Sequence, residues 1–365
     1  VPEVKSNYTI DTQVVTSGLS SPWGLDFLPD GRLIVTERGG SIRIVTTDGN
    51  VSNPLTGVPT TIYTAGQAGL LDISVAPDFE TSRRIYFSYA ETRGANQYGT
   101  SVAYGELSTN DAGLSNVKVI FQQTPAHTTN LHFGSRLVWD KEGNLYITLG
   151  ERFDANFRTR AQSLDNLIGK VVRVTRDGAP VPTNPFVNTA NARPEIWSYG
   201  HRNMQGAALH PETGELWTIE HGPRGGDEIN RPQAGKNYGW PTITYGIDYS
   251  GQPIGAGITS QQGMEQPIYY WDPVIAPADM IFYTGDMFPA WKGNLLIGAL
   301  VGTTTAGSNG GVVRIMLNGN RVVGEERLLS GRVRDLAQAA DGAVWLIREG
   351  QTAQTGQLVR LSRRP

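Results

Sequence analysis

There is no cysteine among the 365 residues. That excludes disulfides, thiolate nucleophiles and cysteine-ligated zinc. It does not fix a compartment, since reducing and oxidising spaces both hold cysteine-free proteins. No apolar run approaches the roughly 20 residues that a membrane-spanning helix needs. An excess of one charge is also missing: 31 Lys and Arg stand against 34 Asp and Glu, for a net charge of -3 and a pI near 6.0. Such a balance gives no field to attract nucleic acid or an anionic membrane nonspecifically. Helix-like runs are few, whereas glycine (44) and proline (21) are plentiful, which points to many short strands joined by turns. Val1 is not an initiator methionine and no signal peptide is visible, as expected of a processed or trimmed chain.

What is present is a repeated strand-turn-strand phrase. Pro22–Phe27 leads through Pro29-Asp30-Gly31 to Arg32–Glu37, and Gly69–Val75 leads through Pro77-Asp78-Phe79 to Arg84–Ser88. His132–Trp139 with Asn144–Thr148, Gln205–Leu209 with Glu215–Ile219, Pro277–Phe282 with Lys292–Ile297, and Val333–Leu336 with Asp341–Leu346 repeat the pattern. Each copy joins two runs across an Asp-Gly or similar turn, the signature of a β-hairpin. Further short strands are expected at Ser41–Val45, Val117–Phe121, Val171–Thr175, Gly311–Ile315 and Gln357–Leu361. Copies recurring roughly every 50 to 80 residues, each with additional strands, suggest four-stranded blades, and six blades in a ring make an all-β, six-bladed β-propeller. A large β-sandwich or a pair of β domains is the rival, and the spacing favours the propeller. With no composition shift along the chain, residues 1–365 read as one domain. Three long intervals, Asn96–Asn130, Phe153–Pro194 and Ile229–Asp279, are surplus to the repeat, and such loops usually carry function.

The stretch Tyr199–Asn230 stands out. It holds three of the five histidines and a Gly-Pro-Arg-Gly-Gly loop ending in Asp227-Glu228, with His201 before and His221 and that loop after one hairpin. A tight turn returns the second strand beside the first, so both flanks fall at the same end of the sheet. Arg332 and Arg334, two apart on a strand, should point to one side and address one anion. Of the eight tryptophans, most fall in strands or beside turns and read as packing between blades; Trp240 and Trp271, in the third long interval, are the candidates for a site. Glu220 and His221 form a neighbouring pair too small to define a metal site.

Taken in order, GQAGLLDISVAPDF, LHFGSRLVWDKEGNLYITLGER, AQSLDNLIGKVVRV, PEIWSYGHRNMQG, HGPRGGDEIN, AGKNYGWP and GRVRDL resemble the soluble PQQ-dependent aldose sugar dehydrogenases of the glucose/sorbosone dehydrogenase family, which are six-bladed propellers. The resemblance runs from about Pro22 to Leu361. It implies two cofactors, pyrroloquinoline quinone (PQQ) and calcium, an aldose substrate, an external electron acceptor and a periplasmic or secreted location. His132 is then the general base, a role that suits an imidazole whose ordinary pKa lies near working pH. Arg202, Asn203, Arg332, Arg334 and Tyr249 are implied as cofactor contacts, and Gln67 as a substrate contact. Gly222 and Pro223 are implied as carbonyl ligands of calcium, with Glu228 and the Tyr238 carbonyl at a second calcium site. Where relatives carry Lys or Arg after Gly-Ala-Leu, this chain has Val301, so one cation for a cofactor carboxylate is missing or supplied elsewhere. The polar loop Thr303–Asn309 beyond it offers hydroxyls. Phe153–Arg160 and Asn191–Arg193 match no defined sugar-selecting loop. A catalytically silent ligand-binding propeller and a calcium-dependent lactonase are the alternatives. The first would not need the arginines; the second would need several carboxylates on one metal.

Overall fold

In the computed structural model, which describes residues 1–301, 310–350 and 354–365, twenty-three strands make six antiparallel sheets. After β1 (Ile10–Leu19), the first blade is β2 (Pro22–Phe27), β3 (Leu33–Glu37) and β4 (Ser41–Val45), with Val51 bridged to Val45 in place of a full fourth strand. The second is β5 (Leu70–Val75), β6 (Arg84–Thr92), β7 (Tyr98–Leu107) and β8 (Leu114–Gln122). The third is β9 (Leu137–Trp139), β10 (Leu145–Thr148), β11 (Lys170–Val174) and β12 (Ile196–Tyr199). Next come β13 (Met204–Leu209), β14 (Leu216–Glu220), β15 (Asp227–Asn230) and β16 (Tyr269–Trp271). The fifth blade is β17 (Pro277–Phe282), β18 (Leu295–Ala299), β19 (Gly311–Asn318) and β20 (Arg321–Ser330). In the sixth, β21 (Val333–Gln338), β22 (Val344–Arg348) and β23 (Gly356–Arg363) take β1 as their outer strand. The ring is closed by that pairing, Ile10 opposite Arg363 and Leu19 opposite Gly356. It covers an edge that would otherwise be open to pairing with another chain. The chain forms the expected six-bladed β-propeller.

All six expected hairpins form, and the core lies between the blades. Leu70, Ile73, Phe87 and Tyr89 of the second blade pack on Ile34, Ile42 and Ile44 of the first. Trp217 and Ile219 of the fourth pack on Met280, Leu295 and Ile297 of the fifth. The expected strand at Val117–Phe121 is the middle of β8, and Trp271 proves to be a blade residue, buried and bonded through Nε1–H to Glu325. The phrase that begins at His132 becomes a strand only at Leu137. Positive φ at His132 (51°) and Gly134 (77°) keeps the chain out of the ladder there, so irregular backbone carries the imidazole.

One geometric rule places the site. In each blade the innermost strand begins, and the second strand ends, at the same face: Pro22 pairs with Glu37, Met204 with Glu220, Pro277 with Ala299 and Val333 with Arg348. The segments before each inner strand and after each second strand therefore meet around the axis on one face, the mouth. The Asp-Gly turns lie on the opposite face.

Candidate functional site

His132 sits at the mouth with 5% of its surface exposed. Its backbone N–H donates to Gln67 Oε1 (2.9 Å), and the Gly134 N–H donates to Asn203 Oδ1 (3.1 Å). These two bonds hold the left-handed turn in place. The imidazole Nδ1 is bonded to Glu151 Oε1, and the ring lies edge-on to Phe153 at 5.1 Å between centroids. Glu151 is itself fixed: Oε1 accepts the Phe153 N–H (2.8 Å) and Oε2 accepts the Trp240 indole N–H (2.8 Å). Among the described residues, Nε2 of His132 has no partner. Burial lowers the His132 pKa, Arg202 and Arg152 push it further down, and Glu151 opposes them. A neutral imidazole with one nitrogen anchored and the other unbonded is the state a general base requires.

Arg202 and Asn203 follow on the segment before β13, where the Glu220 carboxylate accepts the Arg202 N–H (2.6 Å). The Arg202 guanidinium lies over the Trp240 ring at 5.1 Å, and Nη1 donates to the carbonyls of His221 (2.9 Å) and Gly222 (2.7 Å). Two buried donors here have no protein partner: Arg202 Nε and Asn203 Nδ2. Buried donors are normally paired, so a pair left over at one mouth marks where a ligand with acceptor oxygens fits. From the last blade, Arg332 Nε and Arg334 Nε both donate to Glu349, to Oε2 (3.0 Å) and Oε1 (2.7 Å). The two arginines do address one anion, as their spacing suggests, and in this structure it is a glutamate of the neighbouring strand end. Despite burial, Arg334 and Arg332 hold the Glu349 carboxyl below the usual range. Arg334 also donates to Gln205 Oε1 (2.6 Å). Tyr249 is 60% exposed, with its ring 6.4 Å from that of Phe153. Val301 is at the mouth too, its N–H on the Ile275 carbonyl (3.1 Å). The loop Thr303–Asn309 lies outside the described residues.

Beside Arg202 is a small cavity of about 10 Å³, lined by Glu220, Glu228, Tyr238 and Thr244 among others. That is room for one water-sized occupant. Burial and the neighbouring Glu220 push the Glu228 carboxyl up to about 8, against an amide N–H of Asn230. The carbonyls of Tyr238 and Pro223 accept no hydrogen bond among the described residues, whereas that of Gly222 already accepts Arg202. No cluster of three or more His, Asp or Glu side chains able to hold a metal occurs among the described residues. A cation here would therefore depend on backbone oxygens as much as carboxylates, which suits calcium and not zinc. The Glu228–Tyr238 cavity fits such an ion. At Gly222–Pro223, Gly222 would have to share its carbonyl with the guanidinium.

Glu151 and Glu349 escaped the sequence reading, yet they belong to a visible series. Glutamate lies at or near the end of the second strand in five blades, at Glu37, Glu91, Glu151, Glu220 and Glu349, and each holds a mouth residue or a neighbouring loop. Thr-Glu, Ala-Glu, Gly-Glu, Ile-Glu and Arg-Glu at those strand ends were the available signal.

The molecule is thus a six-bladed propeller with a buried imidazole-carboxylate pair and three guanidiniums gathered at one face. It belongs to the glucose/sorbosone dehydrogenase family, whose model matches residues 19–360. The chain is 43% identical over 361 residues to an aldose sugar dehydrogenase of Escherichia coli, covering 98% of this chain and 94% of that protein. The crystal structure of the soluble aldose sugar dehydrogenase from Escherichia coli, in its apo form, superposes with a TM-score of 0.91 over 98% of this chain and 100% of that one, at 43% identity. A PQQ-bound aldose sugar dehydrogenase from Streptomyces coelicolor superposes with a TM-score of 0.77 at 25% identity, over 98% and 99% of the two chains.

Proposed function

We propose that the protein oxidises an aldose at C1 to its lactone, using PQQ and calcium and passing electrons to an external acceptor. As a member of its family it is a sugar-oxidising oxidoreductase. The observation that carries the finer reading is the His132–Glu151 pair, with Nε2 unbonded, beside the orphaned Arg202 Nε and Asn203 Nδ2. PQQ, when bound, supplies the acceptor for the hydride leaving C1, and calcium supplies positive charge beside it. His132 takes the anomeric hydroxyl proton on Nε2. Glu151 keeps Nδ1 protonated, sets the ring's orientation and stabilises the imidazolium that forms. Arg202, Asn203, Arg332 and Arg334 would hold the cofactor's oxygens through charge-assisted bonds. Tyr249 would cover it from the exposed side, and Gln67, whose Oε1 is engaged, would offer its amide N–H to the sugar. Pro223, Gly222, Glu228 and Tyr238 would supply oxygens to calcium. A lactonase is disfavoured because too few carboxylates converge on any one point of the described mouth. The reading carries with it a single domain over residues 1–365 and a periplasmic or secreted setting. No helix among the described residues is long and apolar enough to cross a membrane.

Protein mixed with calcium and PQQ should show a visible-range spectral change and reduce a dye when given aldoses. His132→Gln should abolish turnover while leaving the spectral change intact. If no spectral change develops, the family's chemistry has been lost here and the chain is a ligand-binding propeller.

A further inference from the structure

Arg38 ends the second-strand side of the first blade, directly after β3. Its backbone N–H donates to the Ser21 carbonyl (3.0 Å) and its carbonyl accepts the Leu70 N–H (3.0 Å). It is thereby fixed between the inner strands of the first two blades, at the mouth. Gly69, at φ 150°, lies so close that a Cβ would collide with the Arg38 carbonyl and Cγ. The glycine of the segment that carries Gln67 thus makes way for this side chain. Arg332 and Arg334 enter from the adjacent sixth blade, and Arg38 is near enough to Arg334 to add like-charge repulsion to the burial that lowers its pKa. Yet the Arg38 guanidinium, half-buried, has no hydrogen-bond or ion-pair partner among the described residues. Arg332 and Arg334 share one carboxylate, Glu349, so together they present a single net positive charge. An unpaired cation held beside two others is unfavourable unless an anion joins them. In the fifth blade, the strand-end position where a cation could have served is Val301, one residue beyond the carbonyl of Leu300 that accepts Arg332 Nη1 (3.2 Å).

We propose that Arg38 binds a carboxylate of the cofactor and takes the place of the cation absent at Val301. The inference rests on the PQQ reading above. With Arg38 the first blade joins the fourth and sixth in gripping the ligand. Arg332, Arg334 and Glu349 contribute one net charge, Arg202 a second and Arg38 a third, matching the three carboxylates of PQQ.

The test is titration of PQQ, in the presence of calcium, into apo protein, followed by tryptophan quenching and the visible spectrum, with no turnover involved. Arg38→Gln should weaken binding by about tenfold or more, the usual effect of losing one bond to a charged group. Arg38→Lys, which keeps the charge and loses the fork, should fall between. Val301→Lys in the Arg38→Gln background should restore most of the loss, since a new cation then serves from the fifth blade. A merely structural role would lower the melting temperature of the apo protein and would not be repaired by Val301→Lys. Should Arg38→Gln fail to fold, the same comparison is made with Arg38→Lys and Arg38→Lys/Val301→Lys. If wild type binds PQQ and Arg38→Gln binds equally well, the inference is overturned and the reading of the site survives. If wild type does not bind, both fall.

Discussion

At the scale of single residues, Glu151 carries the most consequence for chemistry. It grips Nδ1 of His132 with one oxygen and the Trp240 indole with the other, so it connects the imidazole to the long loop after β15. Its charge opposes the burial and the two arginines that lower the imidazole pKa. Glu151→Gln removes that opposition. The imidazole then titrates at lower pH, and if it serves as the proposed base the acidic limb of kcat/KM should move to lower pH while the plateau kcat drops by about 100-fold. Cofactor uptake should persist. A plateau equal to that of wild type would show that the carboxylate does no more than pack. His132, Arg202 and the two last-blade arginines were legible in the sequence because they flank inner strands in recognisable phrases. Glu151's bond to Trp240 was not, because it spans 89 positions and depends on how one loop folds back. Nor was the capture of the Gly222 carbonyl by Arg202, since a guanidinium with free torsions chooses its acceptors from the assembled mouth.

Among the elements, the hairpins were the most legible parts, since alternation and Asp-Gly turns are local signals. Ser41–Val45 was read with the bounds it has in the structure. Loops were less so. Phe153–Pro194 contains a 3-10 turn at Arg158–Gln162 as well as β11, and what organises it is Lys170, fully buried with no acid bonded to it among the described residues. Its Nζ donates to the carbonyls of Ile168 (2.6 Å), Arg160 (3.0 Å) and Ala161 (3.4 Å) and to Asn166 Oδ1 (3.4 Å). Ala161 O also takes the Gly200 N–H (2.9 Å), next to His201 and Arg202. Burial pushes the Lys170 amine down to about 7, with Asp165 opposing, and its donors gather the loop against the mouth. Lys170→Met keeps the volume and leaves those oxygens without a donor. It should cost about 3 kcal/mol of stability by urea unfolding, the scale for leaving buried acceptors without their donor. A cost near zero would mean that water replaces the ammonium.

For the whole molecule, the decisive group is Arg136 on the axis. It bonds Asp72 (2.8 Å), Asp335 (3.0 Å) and the carbonyls of Gln205 (2.8 Å) and Ala278 (3.0 Å), and lies 3.2 Å from Asp279. One guanidinium therefore ties the second, third, fourth, fifth and sixth inner strands together. Asp26 of the first blade faces the same axial cavity of about 370 Å³, and has no arginine bonded to it among the described residues. Burial, with Asp72 and Asp335 adding, pushes its carboxyl up to about 7, against the amide N–H groups of Val75 and Phe27. A raised carboxyl pKa makes the folded form bind protons that the unfolded form has released. This contribution to stability is complete below about pH 4 and is lost as pH rises through about 7. Asp26→Asn should accordingly flatten the fall in melting temperature between pH 5 and 8. An unchanged slope would place the titration on other groups.

The antiparallel pairing of β1 with β23 has a practical corollary. Since Leu19 and Gly356 meet at the mouth side, Ile10 and Arg363 meet at the far side, and the chain enters and leaves the ring there. The carboxyl end can then be tethered to an electrode, a bead or a second protein with the oxidising pocket pointing away from the support, whereas the residues before Ile10 run back along the fifth blade, where the Val4 N–H donates to the Glu325 carbonyl (2.9 Å). Substrate would keep free approach from solution.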